Sequence, residues 1–264
     1  MGQGRHSFLI PAYGRSPYLA DCLRSLRAQT VPSPIVLSTS TPHEGLGELV
    51  DAFGAELFVH GPNGGIARDW NAALAQARTP WVTIAHQDDV YLPDFTRRTL
   101  ALADRRDDAV LVATGYGELL EPSGQVRTWS AMLAIKRVLM ELGFLGRSGV
   151  RSPQGKLRLL RFGCPIPCPS VSLHVAKAPL RFREDLKVDL DWEAWLRLAA
   201  GPGAFAYDRR VLMLHRIHRG SETSAGGRCG VREAEDRMMF ESLWPRPVAA
   251  ALARAYALAY EEGE

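Results

Sequence analysis

The chain has 264 residues, a length that suits one α/β domain or one domain with a C-terminal elaboration. Apolar residues make up 46% of the sequence and charged residues 23%, which is ordinary for a globular protein and excludes wholesale disorder. The net charge is only +3, and acidic residues are interspersed among the basic ones, so we expect no general nucleic-acid-binding surface.

The first half of the chain alternates between strand and helix patterns. Short apolar runs at 7–10, 34–37, 56–60, 81–85 and 109–113 predict strands, and amphipathic patterns at 16–29, 47–53, 64–77 and 95–103 predict helices between them. Such repeated strand–helix–strand units predict a mostly parallel sheet with helices on both faces. Because ligands of these sheets bind beyond the carboxyl ends of the strands, we expect the loops 11–15, 38–41, 60–65 and 86–89 at one edge, here called the rim.

The second half has a less regular pattern. Residues 115–128 are typical of a hairpin or a loop, and 131–162 of a basic, helical excursion. A strand is predicted at 170–174 and an amphipathic helix at 191–200. From Val231 a helical pattern continues to the end of the chain, with a break near Pro245 and Pro247.

Cysteine spacing and the N-terminal segment bear on the cellular compartment. Cys22, Cys164, Cys168 and Cys229 match neither a zinc pattern nor C-x-x-C, which favours free thiols. No signal-peptide pattern opens the sequence, and no apolar run approaches the roughly 18–20 residues of a spanning helix. We therefore expect a cytoplasmic protein, with a location peripheral to the inner face of the membrane as the alternative.

An acidic pair follows the fourth predicted strand. Carboxylates such as Asp88 and Asp89 at a strand end can hold Mg²⁺ or Mn²⁺, which binds a diphosphate and stabilises it as a leaving group. The same pair also suits a turn and helix-cap cluster, and taken alone it does not decide between the two. No G-x-G-x-x-G or P-loop string occurs in the first half, which disfavours a dehydrogenase or an ATPase.

Six short strings in a fixed order carry a family resemblance. They are FLIPAYGR at 8–15, PNGGIA at 62–67 with Asn71 downstream, IAHQDDVYLP at 84–93, FREDL at 182–186, DWEAWLRLA at 191–199 and RIH at 216–218. Together, over about residues 7–224, they resemble the family-2 glycosyltransferases of GT-A fold.

This resemblance implies both fold and function. We expect an α/β GT-A fold: a Rossmann-like, mostly parallel central sheet with helices on both faces and a C-terminal helical extension. Residues 1–230 would form the GT-A domain, with 1–114 as its nucleotide-sugar-binding half and 115–230 as its acceptor and catalytic half, and helices in 231–264 would pack on it. The implied reaction moves a sugar from a nucleotide-diphosphate sugar to a hydroxyl of a glycan or lipid-linked acceptor, with inversion and with Mn²⁺ or Mg²⁺, in cell-surface glycan or polysaccharide biosynthesis.

The resemblance also assigns roles to individual residues. The metal ligands would be Asp88 and His218, and the general base would be Asp191, with Asp189 as its rival. The expected donor-binding residues are Pro11, Ala12, Tyr13, Arg15, Ser38, Thr39, Asn63, Gly64, Gly65, Asn71, His86, Gln87, Asp88 and Asp89.

Some of these residues have structural alternatives. Tyr13 is placed to stack on a base but also suits a plain surface position, and Gly64-Gly65 suits either a close ligand approach or a simple turn. His218 is typical of a packed histidine as well as of a metal or diphosphate contact, with Arg216 and Arg219 beside it to compensate phosphate charge. Asp191 could equally be a helix N-cap.

The pattern departs from the family at several positions. His86 stands where the family's Asp-x-Asp begins with an acid, Ser38-Thr39-Ser40-Thr41 stands where an acid reads the base, and Trp70 and Leu190 replace a usual Arg and Glu. These departures keep a non-catalytic sugar-nucleotide-binding or regulatory protein as the alternative function. A nucleotidyltransferase would need a glycine-rich basic loop near the N-terminus, for which residues 12–15 are a poor candidate.

A basic segment at 136–161 mixes cations with Leu139, Leu142, Phe144 and Leu145. It suits a segment that covers the acceptor or contacts an anionic membrane surface, and it also suits a helical lid that simply packs on the domain.

Overall fold

The computed structural model describes residues 4–218 and 230–261. Its strands are β1 (His6–Ala12), β2 (Ile35–Thr39), β3 (Glu56–Val59), β4 (Trp81–Ile84), β5 (Val90–Tyr91), β6 (Ala109–Leu120), β7 (Gln125–Arg127), β8 (Gly149–Val150), β9 (Val171–His174) and β10 (Ala204–Ile217). Its helices are α1 (Leu19–Arg27), α2 (Leu46–Ala52), α3 (Ile66–Leu74), α4 (Phe95–Arg105), α5 (Ala131–Phe144), α6 (Pro153–Leu160), α7 (Leu190–Ala200), α8 (Val231–Leu243) and α9 (Arg246–Glu261).

The strands form one sheet in the order β3-β2-β1-β4-β9-β6-β10-β5. Strands β1 to β4 pair in parallel, as do β6 and β10, whereas β9 and β5 run antiparallel to their neighbours. Because β9 is antiparallel to both β4 and β6, those two strands point the same way. Six strands therefore share one direction: β1, β2, β3, β4, β6 and β10. The predicted mostly parallel sheet is confirmed.

Alternating side chains of β1 show why helices cover both faces. Phe8 and Ile10 belong to a core cluster with buried residues of α1 and α2 and with Phe95 of α4, whereas Leu9 lies in a second cluster with Trp70 of α3 and Trp192 of α7. This alternation follows from the two-residue repeat of a strand, which sends successive side chains to opposite faces.

Residues 115–128, expected as a hairpin or a loop, form one: β6 continues to Leu120 and pairs antiparallel with β7. The basic excursion at 131–162 folds as α5, β8 and α6, and β8 pairs with the first residues of β10. The helical structure is interrupted at Pro245, between α8 and α9. The ring of Tyr256 in α9 packs against Trp192 of α7, with 5.8 Å between the ring centroids. Within the two described ranges, no helix has both the length and the apolar character to cross a bilayer.

Strand β10 is a long element that the sequence patterns did not predict. It pairs with β6 over almost its full length, but its register shifts around Asp208 and Val211, where Arg209 and Arg210 turn to solvent. These polar residues interrupt the apolar alternation by which a strand is recognised. At the far end of β10, the chain reaches the rim at His215–His218.

Candidate active site

The acidic segment and the histidines of β10 meet at the rim because of one short pairing. Residues 86–89 connect β4 to β5, and β5 pairs antiparallel with β10 through Val90 opposite Leu214 and Tyr91 opposite Met213. This register places Asp88 and Asp89 directly against the last residues of β10. Two segments separated by more than 120 residues in sequence therefore form one cluster.

Asp89 is the buried anchor of this cluster. It has no exposed surface, and its Oδ1 accepts a hydrogen bond from the backbone amide of Arg216 at 2.9 Å and lies 3.0 Å from His215 Nδ1. Burial alone lowers the pKa of His215, yet the charges of Asp89 and Asp88 outweigh it and raise that pKa above its ordinary value. These contacts of Asp89 fix the 86–89 loop against the end of β10.

Asp88 is more accessible and lies beside three histidines. Its Oδ2 is 2.9 Å from His218 Nε2. Burial raises the pKa of Asp88, but His86, His218 and His215 together shift it below its ordinary value. The carboxylate is therefore held in the charged form, which is the form that binds a cation.

The donor set fits a divalent metal ion. His86, Asp88 and Asp89 each offer one ligand atom, and these atoms lie within 4.8 Å of one another. His86 Nε2 and Asp89 Oδ2 are buried and have no hydrogen-bond partner among the described residues. An imidazole nitrogen together with carboxylate oxygens suits Mn²⁺ well, and Mg²⁺ less well.

Arg216 connects several residues of the rim through its guanidinium group. Its Nε donates to the carbonyl oxygen of Asp88 at 2.7 Å, and its guanidinium pairs with Glu121 and, at 3.4 Å, with Asp21. The guanidinium also lies 4.4 Å from the ring centroid of Tyr18. Only 4% of the Arg216 surface is exposed, and its role in compensating phosphate charge stays a prediction. Arg219, expected to share that role, lies outside the described residues, as does Cys229.

A second group of predicted residues meets on the neighbouring part of the rim. The Gln87 side chain accepts from the amide of Tyr13 at 3.2 Å and donates to its carbonyl at 3.1 Å. Asn63 approaches the Tyr13 hydroxyl at 3.5 Å and accepts from the amide of Gly65 at 3.0 Å. Gly65 has a φ of +95°, and the ring of Tyr13 stays half exposed beside this glycine turn. Gly64 lies in the same exposed turn.

Other expected donor ligands have different surroundings. Pro11 and Ala12 end β1 beside Ser38 and Thr39 of β2, and both of these β2 residues are buried. The Thr39 hydroxyl accepts from the amide of Thr41 at 3.1 Å.

Two further expected ligands are occupied by main-chain contacts. Asn71 binds both the amide and the carbonyl of Phe182, at 2.8 and 2.9 Å, so it joins α3 to the 182–186 loop. Exposed Arg15 donates to the carbonyl of Glu44 at 3.2 Å. The structure does not bring Asn71 or Arg15 to the acidic cluster.

The expected base, Asp191, lies in the first turn of α7. Its carboxylate accepts from the amides of Trp192 at 2.7 Å and Cys168 at 3.1 Å. Burial raises the pKa of Asp191 above its ordinary value, although these two amides and the charges of His86 and Lys136 act in the opposite direction. His86 of the rim is thus among the charges that act on the Asp191 carboxyl.

Asp189 faces a different element. It precedes α7 and is buried near Asp236 of α8, and burial together with the Asp236 charge holds its pKa well above the ordinary range. The three amides of residues 187–189 donate to the carboxylate of Glu235 at 2.8–2.9 Å, which ties this segment to α8. Asp191 stays the predicted base, with Asp189 as its rival.

His215, Glu121, Asp21 and Tyr18 belong to the site but were not expected in it. A signal for His215 was present: it is adjacent to Arg216 and three residues before His218, in a run of polar residues that ends an apolar strand. The other three carry no motif, because they reach the site only through the contacts of Arg216 and His218.

The family model described as "Glycosyl transferase family 2" matches residues 7–155, more than half of the chain. The chain belongs to glycosyl transferase family 2. No curated protein sequence matches this glycosyltransferase significantly.

Solved structures with the same fold include two glycosyltransferases. TarS 1-349 of S. aureus is 13% identical, with a TM-score of 0.64, over 95% of this chain and 69% of that one. TarS 1-349 in complex with UDP-GlcNAc is 15% identical, with a TM-score of 0.61, over 97% and 72% of the two chains. The mannosyltransferase PcManGT from Pyrobaculum calidifontis, in complex with GDP-Man and Mn²⁺, is 15% identical, with a TM-score of 0.65, over 96% and 69%. At these identities the likeness shows the fold, and the expected GT-A fold is confirmed.

Proposed function

We propose that this glycosyltransferase moves a sugar from a nucleotide-diphosphate sugar to a hydroxyl of a glycan or lipid-linked acceptor, with inversion at the anomeric carbon and with Mn²⁺ or Mg²⁺. The observation that carries the proposal is the cluster at the rim: His86, Asp88 and Asp89 offer ligand atoms within 4.8 Å of one another, and His218 lies 2.9 Å from Asp88. We place the reaction in the cytoplasm, in the synthesis of a cell-surface glycan or polysaccharide.

The solved relatives support the donor class. TarS is known in complex with UDP and with UDP-GlcNAc, and PcManGT with GDP-Man and Mn²⁺. In this chain, the half-exposed ring of Tyr13 offers a stacking surface for a base. The adjacent Gly64-Gly65 turn opens α3, and its backbone amides favour a negatively charged ligand.

Asp88 and His218 would hold the metal, with His86 as a further nitrogen ligand. A divalent cation bound there neutralises charge on the diphosphate and so makes it a better leaving group. Arg216 keeps the Asp88 main chain in place, and Asp89 fixes the end of β10 against it.

Asp191 would act as the general base. As the acceptor oxygen attacks the anomeric carbon, Asp191 takes the hydroxyl proton and the bond from that carbon to the diphosphate oxygen breaks, with its electron pair leaving on the diphosphate. Attack from the side opposite the leaving group inverts the configuration. The raised pKa of the buried Asp191 carboxyl favours proton uptake.

Thermal unfolding with nucleotide diphosphates tests the donor site. We expect UDP or GDP with Mn²⁺ to raise the melting temperature by about 5 °C, because a ligand that binds only the folded state stabilises it. Asp88→Asn removes a charged metal ligand and should abolish the Mn²⁺-dependent part of the shift. Asp51→Asn, an exposed carboxylate on α2, is the matched control and should behave like wild type. The proposal fails if no nucleotide diphosphate shifts the melting temperature, with or without metal.

A further inference from the structure

Helix α5 is apolar on its outer face as well as on its inner face. Leu133, Met140 and Phe144 are buried against the domain. Ala131, Ile135, Val138 and Leu142 follow a spacing of four and three residues, which places them on one side of the helix. Leu145, the residue that ends α5 in a left-handed conformation, follows them, and we call all five the α5 stripe; the four larger ones are 42–60% exposed.

The C-terminal end of the α5 stripe borders a cationic cavity. The cavity has a volume of about 330 Å³, and Leu145 and Phe144 form its apolar side. Its other side carries four arginines, here called the arginine cavity: Arg106, Arg147, Arg151 and Arg158.

The cations of the arginine cavity are only partly neutralised. Asp108 lies 3.4 Å from Arg106 and 3.9 Å from the mostly exposed Arg151. Within the described part of the chain, no carboxylate lies within ion-pair distance of Arg147 or Arg158. An anion with several oxygens is the ligand that such guanidinium groups bind best.

The arginine cavity is separate from the donor site. It borders β8, which pairs with Phe205 and Ala206 at the start of β10, whereas His215 and His218 lie at the other end of the same strand. A ligand there would not compete with a nucleotide sugar at the rim.

Charge identifies the kind of surface that matches this face. Residues 128–162 contain seven basic side chains and one acidic one, Glu141, which already pairs with Arg209 at 2.6 Å. One of the bases, Lys156, is buried, with its Nζ hydrogen-bonded to three main-chain carbonyls. A second copy of the chain would bring the same positive charge to the contact, whereas an anionic surface would complement it.

We propose that the α5 stripe and the arginine cavity form a docking surface for a membrane that contains anionic phospholipid. The apolar side chains of the stripe enter the boundary between headgroups and acyl chains, and the arginines bind lipid phosphate. A lipid matches both features, since it has an anionic head beside an apolar tail. The docking surface extends the proposed function and does not depend on it.

Vesicle sedimentation tests this proposal with the full chain. We expect binding to vesicles of phosphatidylcholine mixed with phosphatidylglycerol, and at least about tenfold weaker binding to phosphatidylcholine alone. Val138→Ser with Leu142→Ser should weaken binding about tenfold or more by removing apolar contacts. Arg147→Gln with Arg158→Gln should weaken it about fivefold for each arginine removed, and most strongly at low salt.

The matched control carries the same kinds of change on α9. Leu258→Ser with Arg246→Gln and Arg254→Gln alters exposed residues of another helix and should leave vesicle binding unchanged. Melting temperatures and nucleotide-dependent shifts of all variants report whether the fold and the donor site are intact.

Three results would overturn the docking surface. The first is no binding of the wild type to anionic vesicles, and the second is equal binding by wild type and by the stripe variant. The third is a dimer of the wild type in light scattering that becomes a monomer in the stripe variant, while the wild type does not bind vesicles. The occupant of the stripe would then be a second copy of the chain. Failure of donor binding, by contrast, would leave the vesicle results unaffected.

Discussion

Asp189 and Asp191 lie two residues apart and have opposite environments. Asp191 is held by the amides of Trp192 and Cys168, whereas Asp189 is enclosed with Asp236 of α8. Burial raises the pKa of both carboxyls, and the charge of His86 is among the influences that lower the pKa of Asp191. Proximity to the reacting groups, and not the size of the pKa shift, decides which one can serve as a base.

Substitution of the two carboxyls separates their roles. Asp191→Asn should lower the rate of sugar transfer about 10²–10⁴-fold, because it removes the proton acceptor. It should keep the Mn²⁺-dependent melting shift with nucleotide diphosphate, since Asp191 is not among the donor ligands. The measurement is transfer or donor hydrolysis with Mn²⁺, beside thermal unfolding of the same samples.

Asp189→Asn is the matched control for this experiment and should retain transfer within a few-fold of wild type. The reverse outcome, with Asp189→Asn inactive and Asp191→Asn active, would assign the base to Asp189. Nucleotide binding without turnover in the wild type, across donors and acceptors, would instead support the non-catalytic binding protein.

Some residues of the rim could be predicted from the sequence and others could not. Asp88 and His218 were expected together because each belongs to a short recognisable string, and they lie 2.9 Å apart. The partners of Arg216 carry no such string: Glu121 and Asp21 approach it only after β6, α1 and β10 are assembled. Long-range ion pairs of this kind depend on packing and have no local signal.

At the scale of elements, α8 is joined to the segment before α7 by carboxylates. Glu235 accepts from three consecutive amides at residues 187–189, and Asp236 lies beside Asp189. Asp189 and Asp236 share a side-chain hydrogen bond, which needs a proton on one of them, and no other donor in the described ranges reaches Asp189 Oδ2 or either oxygen of Asp236. Two enclosed carboxyls are stable together only while at least one of them is protonated.

This pair predicts a stability that falls as pH rises. Burial raises the pKa of Asp236 to about 6 and that of Asp189 well above its ordinary value, whereas in the unfolded chain both are near 4. Since the folded state binds more protons between these values, its free energy of unfolding decreases from about pH 4 through about pH 6 and further as Asp189 ionises. Asp236→Asn should reduce this decrease and stabilise the protein by about 2 kcal/mol near pH 8.

Urea unfolding at about pH 5 and about pH 8 measures the effect. Glu48→Gln, an exposed carboxylate on α2, is the control and should show the same pH dependence as wild type. If the free energy of unfolding of Asp236→Asn fell as steeply with pH as that of the wild type, the buried pair would not be its cause.

Elements were predictable from the sequence where apolar periodicity was unbroken. Strands β1 to β4 and the helices between them came from regular apolar patterns, with ends that differ from the structure by a few residues. Strand β10 was missed because Asp208, Arg209 and Arg210 interrupt its apolar pattern at a register shift. Strand β5 has two residues and owes its extended form to pairing with β10, which no local pattern can indicate.

At the scale of the molecule, the sheet interleaves the two halves of the chain. Strand β9, from the second half, lies between β4 of the first half and β6, which spans the boundary between the halves, and β5 of the first half pairs with β10 of the second. The larger core cluster contains Leu9 and Val82 together with Trp192 and Trp195 of α7. The two proposed halves, with 1–114 for the nucleotide sugar and 115–230 for the acceptor, therefore share one sheet and one core, and their division of function stays a prediction.

A fragment of residues 1–114 should not fold on its own. The cut falls inside β6, removes β9 from the edge of β4 and exposes the core surface that α7 covers, so too little apolar area stays buried to offset the conformational entropy. Far-UV circular dichroism and urea titration of the fragment should show no cooperative transition, whereas the 264-residue chain in the same buffer should show one. A cooperative transition in the fragment, accompanied by a nucleotide-dependent shift, would show instead that the donor-binding half is an independent domain to which β9 and β10 were added.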